Sequence, residues 1–191
     1  MLPQIFAIIG AFIASLGGFY YLYETIIGKS KPNRITWLLW GIFPMITFIA
    51  QKSQGVQDIS WVTFVSGFTP LLVFGASYMN KKSYWKSQRQ DYYLMIGALL
   101  GIILWAITKN ANIAILFSLL ADFFAAIPTI IKCFKYPQSE SWIAYSISTF
   151  GFALSILTIK SFVFQNYAFV IYLTIINFIM VLFASRKTVK T

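Results

Sequence analysis

The chain has 191 residues, a formal net charge of +10, and a composition that is 59% hydrophobic but only 10% charged. Soluble domains carry about 25% charged residues because their exterior must meet water, so a chain this apolar is expected to place its excess surface against lipid. With no histidine and one cysteine, Cys133, it lacks the residues for histidine acid–base chemistry, a histidine-ligated metal, a haem, an internal disulfide or a multi-cysteine metal site. No cofactor is expected. The basic residues fall in short clusters between apolar runs and form no single stripe, so nucleic acid is not expected as a partner.

In chain order, seven apolar segments can be read, at 5–27, 35–51, 59–79, 92–108, 111–131, 141–159 and 167–185. Each is close to the ~17–25 residues that cross a hydrocarbon core. The second and fourth are the shortest as read. Backbone groups inside a bilayer must be satisfied within their own segment, so each is expected to be a helix. No ten-residue alternation of a membrane barrel is present. The start, MLPQIFAIIGAF, has no basic region and reads as a first span, not a cleaved signal peptide. Tyr20, Tyr21, Tyr23, Trp37, Trp61, Tyr92, Tyr93 and Trp142 lie near segment ends, as in an aromatic belt.

Lysine and arginine set the orientation. Lys29, Lys31 and Arg34 follow the first segment, and Lys81, Lys82, Lys86 and Arg89 follow the third. Lys132 and Lys135 follow the fifth, and Arg186, Lys187 and Lys190 follow the seventh. Only Lys52, Lys109 and Lys160 fall on the other side. The bias predicts an outside N-terminus and a cytoplasmic C-terminus in a cell membrane, the cytoplasmic membrane if the source is bacterial.

An internal repeat is legible. Segments 15–41 and 119–146 both carry Thr-Ile-Ile at the end of a span (Thr25–Ile27 and Thr129–Ile131). Each then has a basic loop with a proline, Pro32 or Pro137, and enters the next span at a tryptophan, Trp37 or Trp142. This pairs spans one, two and three with five, six and seven and leaves the fourth unpaired. Three helices per unit plus one linking crossing give both units the same orientation, a parallel repeat about the membrane normal. The expected fold is all-α: seven transmembrane helices, two parallel three-helix bundles joined by a linker helix. Residues 1–79 form the first unit, 80–110 the basic loop and linker helix, and 111–191 the second unit.

This pattern resembles the PQ-loop superfamily, and within it the SWEET and SemiSWEET sugar transporters. Their unit has a proline near the cytoplasmic end of its first helix, then a basic loop with Ser and Glu. PTIIKCFKYPQSESW (128–142) is similar, with Pro128 and Thr129 in the motif positions. Pro137-Gln138 lies in the loop. In the first unit Glu24 stands at the proline position beside Thr25, and Pro44 lies deeper than the family's second-helix proline. The chain reads as a divergent member, and sugar specificity does not carry over.

Asp122 is the most informative residue, midway along the fifth span with no lysine or arginine at matching depth. An ionised carboxylate there is worth roughly 2.5–3.5 kcal/mol of insertion penalty, so it carries a proton, lines a wet cavity, or is bonded to a neighbouring helix. The resemblance implies a role in proton coupling. Matching FGAS (74–77) to LFAS (182–185) sets Asn177 opposite Thr69, a polar pair that the resemblance places against substrate and that interhelical hydrogen bonding would equally explain. Trp37 and Trp142 read as belt residues more readily than as cavity walls. Glu24 is placed to pair with Lys29 or Arg34. Pro44, Pro70 and Pro128 permit kinks, hinges in a moving bundle. Gly10, Gly17 and Gly18, with Gly97 and Gly101, allow close helix contact.

The expectation is a transporter of a small polar solute, a sugar or another small metabolite, by alternating access between the units, with proton coupling left open. Its partners are membrane lipid, the solute, protons if coupled, and a second copy if it oligomerises. An enzyme is not expected, since a lone Asp122 has no acid–base partner. The alternative is a non-transporting membrane scaffold or receptor, although no lysine in the seventh span offers a retinal Schiff base.

Overall fold

The computed structural model describes residues 2–83 and 111–186, together with residues 85, 86, 89, 92, 96, 103 and 107. Among them are six α-helices and no strand: α1 (Ile5–Ile26), α2 (Arg34–Ser53), α3 (Ser60–Ala76), α4 (Ala111–Lys135), α5 (Trp142–Ile156) and α6 (Phe164–Ala184). A 3-10 turn at Pro137–Ser139 precedes α5. The segment at 92–108 falls largely outside the described residues; Tyr92, Ile96, Ile103 and Ile107 within it are helical and exposed.

The helices α1, α2, α4 and α6 are long and apolar enough to cross a membrane, while α3 and α5 are apolar but shorter. The chain is a helical membrane protein. Among the described helices the second segment is not one of the shortest, while the fourth lies outside the described residues. The second segment gains residues at both ends to make the 20-residue α2, whereas α3 has 17 and α5 has 15. At ~1.5 Å per residue α5 covers only about 22 Å, so the turns at its ends extend the crossing. α4 runs four residues past its expected end at 131, which keeps Lys132 and Cys133 inside the bundle.

Local chemistry fixes the starts of α2 and α5. Asn33 caps α2 by accepting from the amides of Ile35 and Thr36, and Ser141 caps α5 by accepting from Ala144. Each cap satisfies backbone donors that a helix leaves orphaned. Gly28, with φ +81, makes the left-handed turn that ends α1.

The six helices close into a ring: α1 packs on α3, α3 on α2, α2 on α4, α4 on α6, α6 on α5, and α5 back on α1. Contacts give the directions. α1 and α5 are antiparallel, with Gly10 beside Ser155 and Gly17 beside Ala144. α2 and α4 are antiparallel too: Gln54 near the end of α2 bonds Asn112 at the start of α4 at 3.2 Å. Leu39 and Phe43 then cluster with Ala121 and Ala125 farther along. α1 and α3 run together, since Gly18 meets Thr69 and the Ile26 carbonyl accepts from Asn80. α4 and α6 also run together, through Asp122–Tyr172 and then Phe134–Phe183.

The α1–α5 seam is close because it is built on glycine. A Cβ on Gly151 would sit 2.5 Å from the Ala14 nitrogen and 2.5 Å from the Gly10 carbonyl. Small residues let two helix backbones approach and gain dispersion contacts where no hydrophobic force between helices operates.

Candidate functional site

A cavity lies at the centre of the ring, and all six helices line it. Its polar and aromatic wall includes Tyr21, Trp37, Trp40, Ser66, Thr69, Asp122, Tyr145, Ser148 and Asn177, with Pro44, Pro70 and Gly18. Its volume is about 70 Å³, the space of roughly two waters at the ~30 Å³ each takes in the liquid.

The lining repeats. Trp37, Trp40 and Pro44 stand 4, 7 and 11 residues after the cap Asn33, and Tyr145, Ser148 and Phe152 stand at the same distances after the cap Ser141. Val65 and Thr69 on α3 match Leu173 and Asn177 on α6 at a constant offset of 108. Gly18 on α1 matches Asp122 on α4 at an offset of 104. This register corrects one pairing read from the sequence. Trp37 corresponds to Tyr145, not to Trp142. Trp37 is buried on the ring of Tyr21, 4.2 Å between centroids, whereas Trp142 is 48% exposed and does not line the cavity. A shared letter three residues out of register misled the match.

Asp122 is buried, and its Oδ2 accepts from the Tyr172 hydroxyl at 2.6 Å, the single hydrogen bond to this carboxylate among the described residues. Thr69 donates to the Val65 carbonyl at 2.9 Å, and Asn177 donates to the Leu173 carbonyl at 2.9 Å. Ser66 donates to Thr63 and Ser148 to the Ala14 carbonyl. The three hydroxyl donors are therefore spent on helix backbone, while Asn177 keeps a second amide N–H. The indole N–H groups of Trp37 and Trp40 are buried with no protein partner among the described residues. An unmet buried donor is unfavourable by about 1–3 kcal/mol unless water or a ligand answers it.

One end of the cavity is closed by an ionic and aromatic layer that sequence reasoning missed. Lys132 and Glu140 pair at 2.6 Å with both side chains buried. The hydroxyls of Tyr21 and Tyr145 donate to Glu140 at 2.7 and 2.8 Å. Lys132 also donates to the carbonyl of Lys31, and its ammonium lies 4.9 Å from the Trp85 ring centre. The sequence placed Lys132 in a solvated loop, but it is buried in the last turns of α4. No periodicity links residues eight apart across a 3-10 turn; the one available signal was Tyr145 at the cap-plus-four position that Trp37 occupies.

The remaining residues from the sequence lie away from the cavity. Glu24 pairs with Lys29 at 2.5 Å and accepts from Ser30 at 2.9 Å. Arg34 turns instead to Ser77, donating to its hydroxyl at 3.0 Å and its carbonyl at 2.7 Å. Thr25 donates to the Tyr21 carbonyl, while its sequence match Thr129, beside Pro128, is buried with an unpartnered hydroxyl. No group of three or more His, Cys, Asp or Glu able to hold a metal occurs among the described residues. The chain matches no protein-family model, and no curated protein or solved structure is significantly similar to it.

Proposed function

We propose that this chain is a membrane transporter that moves a small polar solute through the central cavity by alternating access between two three-helix units, as the resemblance to the PQ-loop superfamily implies. One observation carries the reading: the cavity lies where the six helices meet and is lined at matching positions by both halves of the chain. Such a site on a pseudo-two-fold axis belongs to transporters built from repeats. A scaffold has no use for a buried carboxylate and two unmet indole donors around a shared hollow.

The packing order supports a 3+1+3 plan with seven spans. Going round the ring, α1, α3 and α2 are followed by α4, α6 and α5, the same order under the repeat. α3 ends beside the end of α1, where Asn80 donates to the Ile26 carbonyl, and α4 begins at the opposite end, beside Gln54. Residues 83 and 111 therefore lie at opposite ends of the ring, and the seven-span plan assigns the apolar segment read at 92–108 to the crossing between them. Twelve of the fifteen lysines and arginines then gather at one end, which we take as cytoplasmic. The Lys132–Glu140 layer closes that end.

Purified protein in liposomes tests the reading. Uptake of a small polar solute above protein-free vesicles, lost in Asp122→Leu, supports it, and no flux for any of a broad panel of small solutes overturns it. A reporter fused after Thr191 should be active only as a cytoplasmic form. Activity on the outer side reverses the orientation.

A further inference from the structure

We infer that the cavity is shaped for a small organic ammonium ion that takes the place of a proton on Asp122, so that solute and proton are exchanged one for the other; this rests on the transport reading above.

Three observations converge. First, Asp122 is the one charged side chain among the cavity-lining residues, with no lysine or arginine to neutralise it. A buried carboxylate at such depth is held neutral by a proton or by a cation. Second, the facing wall is aromatic: Tyr21 and Trp37 lie 4.2 Å apart and Trp37 and Trp40 5.4 Å apart, ring centre to ring centre. Tryptophan faces are the strongest aromatic partners for an ammonium group. Third, the cavity is poor in free donors for a polyol. Thr69, Ser66 and Ser148 donate their hydroxyl protons to backbone carbonyls and Asn177 donates one amide N–H, which leaves the second Asn177 N–H and the two indole N–H groups. An ammonium compound with one hydroxyl answers each feature: charge to Asp122, methylenes or methyls to the rings, oxygen to an indole.

Exchange follows from sharing one carboxylate. The titratable neighbour in contact with Asp122 is Tyr172 on α6. On α2, the other helix against α4, the packed residues are Leu39 and Phe43, which do not titrate. Across the cavity stand Tyr21 on α1 and Tyr145 on α5, both bonded to Glu140, while α3 contributes Ser66 and Thr69. Nothing else lining the cavity takes up the proton when the ammonium ion arrives, so it leaves to the open side. An ion that binds only the deprotonated site, and a proton that binds only the empty one, are coupled by mass action through the conformational change.

Choline is the decisive probe, because it is permanently charged and carries no proton through a bilayer by itself. Proteoliposomes with an acidic interior and a trapped pH dye are given labelled choline outside, with ethanolamine and methylammonium in parallel. The expected result is uptake of choline, or of either amine above protein-free vesicles, with alkalinisation of one proton per ion and no dependence on membrane potential. Asp122→Asn should lower both signals roughly 30-fold or more, the loss that follows removal of one partner of a buried charge pair. Asp122→Glu should retain exchange, and gel filtration of each variant guards against misfolding. Flux of glycerol or glucose with none for the ammonium series overturns the inference and leaves the transport reading standing. Ammonium uptake without proton movement, or undiminished in Asp122→Asn, overturns it as well. No flux of any solute in correctly folded protein overturns both readings.

Discussion

The α1–α2 and α4–α5 connections occupy the same place in the repeat, and each holds one lysine–glutamate pair, yet in opposite surroundings. Lys29 pairs with Glu24 at 2.5 Å with its side chain 60% exposed, whereas Lys132 pairs with Glu140 at 2.6 Å with its side chain 2% exposed. In the first connection the glutamate lies on the helix and the lysine in the loop; in the second the order is reversed. That reversal turns the second pair inward, where Tyr21, Tyr145 and the Lys31 carbonyl complete it. The same charge chemistry thus gives a pair with a buried glutamate and an exposed lysine in one half and a fully buried cross-half clamp in the other. A pair's neighbours decide its role.

The seams between the halves differ in the same way. Gly10, Gly17 and Gly151 bring α1 and α5 backbone to backbone. The corresponding seam of α2 and α4 is spaced by Leu39, Phe43, Ala121 and Ala125. The first seam is held backbone to backbone at its glycines, and the second is spaced along its length by side chains. In a rocking bundle the second is the seam able to slide, by repacking its side chains.

The largest expected effect is on the buried clamp. Lys132→Met strands Glu140 in a buried site and should destabilise the protein by about 3–5 kcal/mol, read as a lowered thermal midpoint in detergent. An unchanged midpoint would place the pair in water. Next comes the glycine seam. Gly151→Ala forces a Cβ to within 2.5 Å of backbone on α1, and the strain of overpacking is about 1–3 kcal/mol. Gly75→Ala, where nothing lies within 4 Å of the added carbon, should stay within about 0.5 kcal/mol. Equal losses at the two glycines would show that the α1–α5 seam is not closely packed at Gly151. The smallest effect is at Lys29, whose ammonium is exposed while the buried Glu24 keeps its bond from Ser30, so Lys29→Met should change stability by about 1 kcal/mol. The hydrogen bond to Glu24 raises the Lys29 ammonium above its ordinary 10.5. Its contribution is therefore complete at neutral pH and is lost only as pH rises through the raised value. A Lys29→Met effect that disappears between pH 6 and 8 would contradict that assignment.

Much of the helical architecture was legible because lipid imposes a plain rule: long apolar runs become helices, with basic residues between them. Asp122 stood out for the same reason, as a charge where none is tolerated. The aromatic wall was harder to see. Trp40 and Tyr145 look like belt or core residues in a chain with 19% aromatic content, and only the shared distance from Asn33 and Ser141 shows that they face one hollow. The Lys132–Glu140 clamp left no mark in the sequence, because its partners come from three separate stretches of chain. Helix lengths were misjudged where polar ends blur the boundary: Arg34 and Ser53 belong to α2, while Tyr78 and Met79 fall beyond α3.

The burial of Cys133 has a practical consequence. It is the single cysteine of the chain and is fully enclosed next to Met180, with 3.5 Å between the sulfurs. The protein should therefore be silent to water-soluble maleimides while the Lys132–Glu140 layer is shut. Cysteines introduced at exposed positions such as Lys160 and Arg186 would then be read from either side of the membrane without background, and any slow labelling of Cys133 itself would clock how often that layer opens.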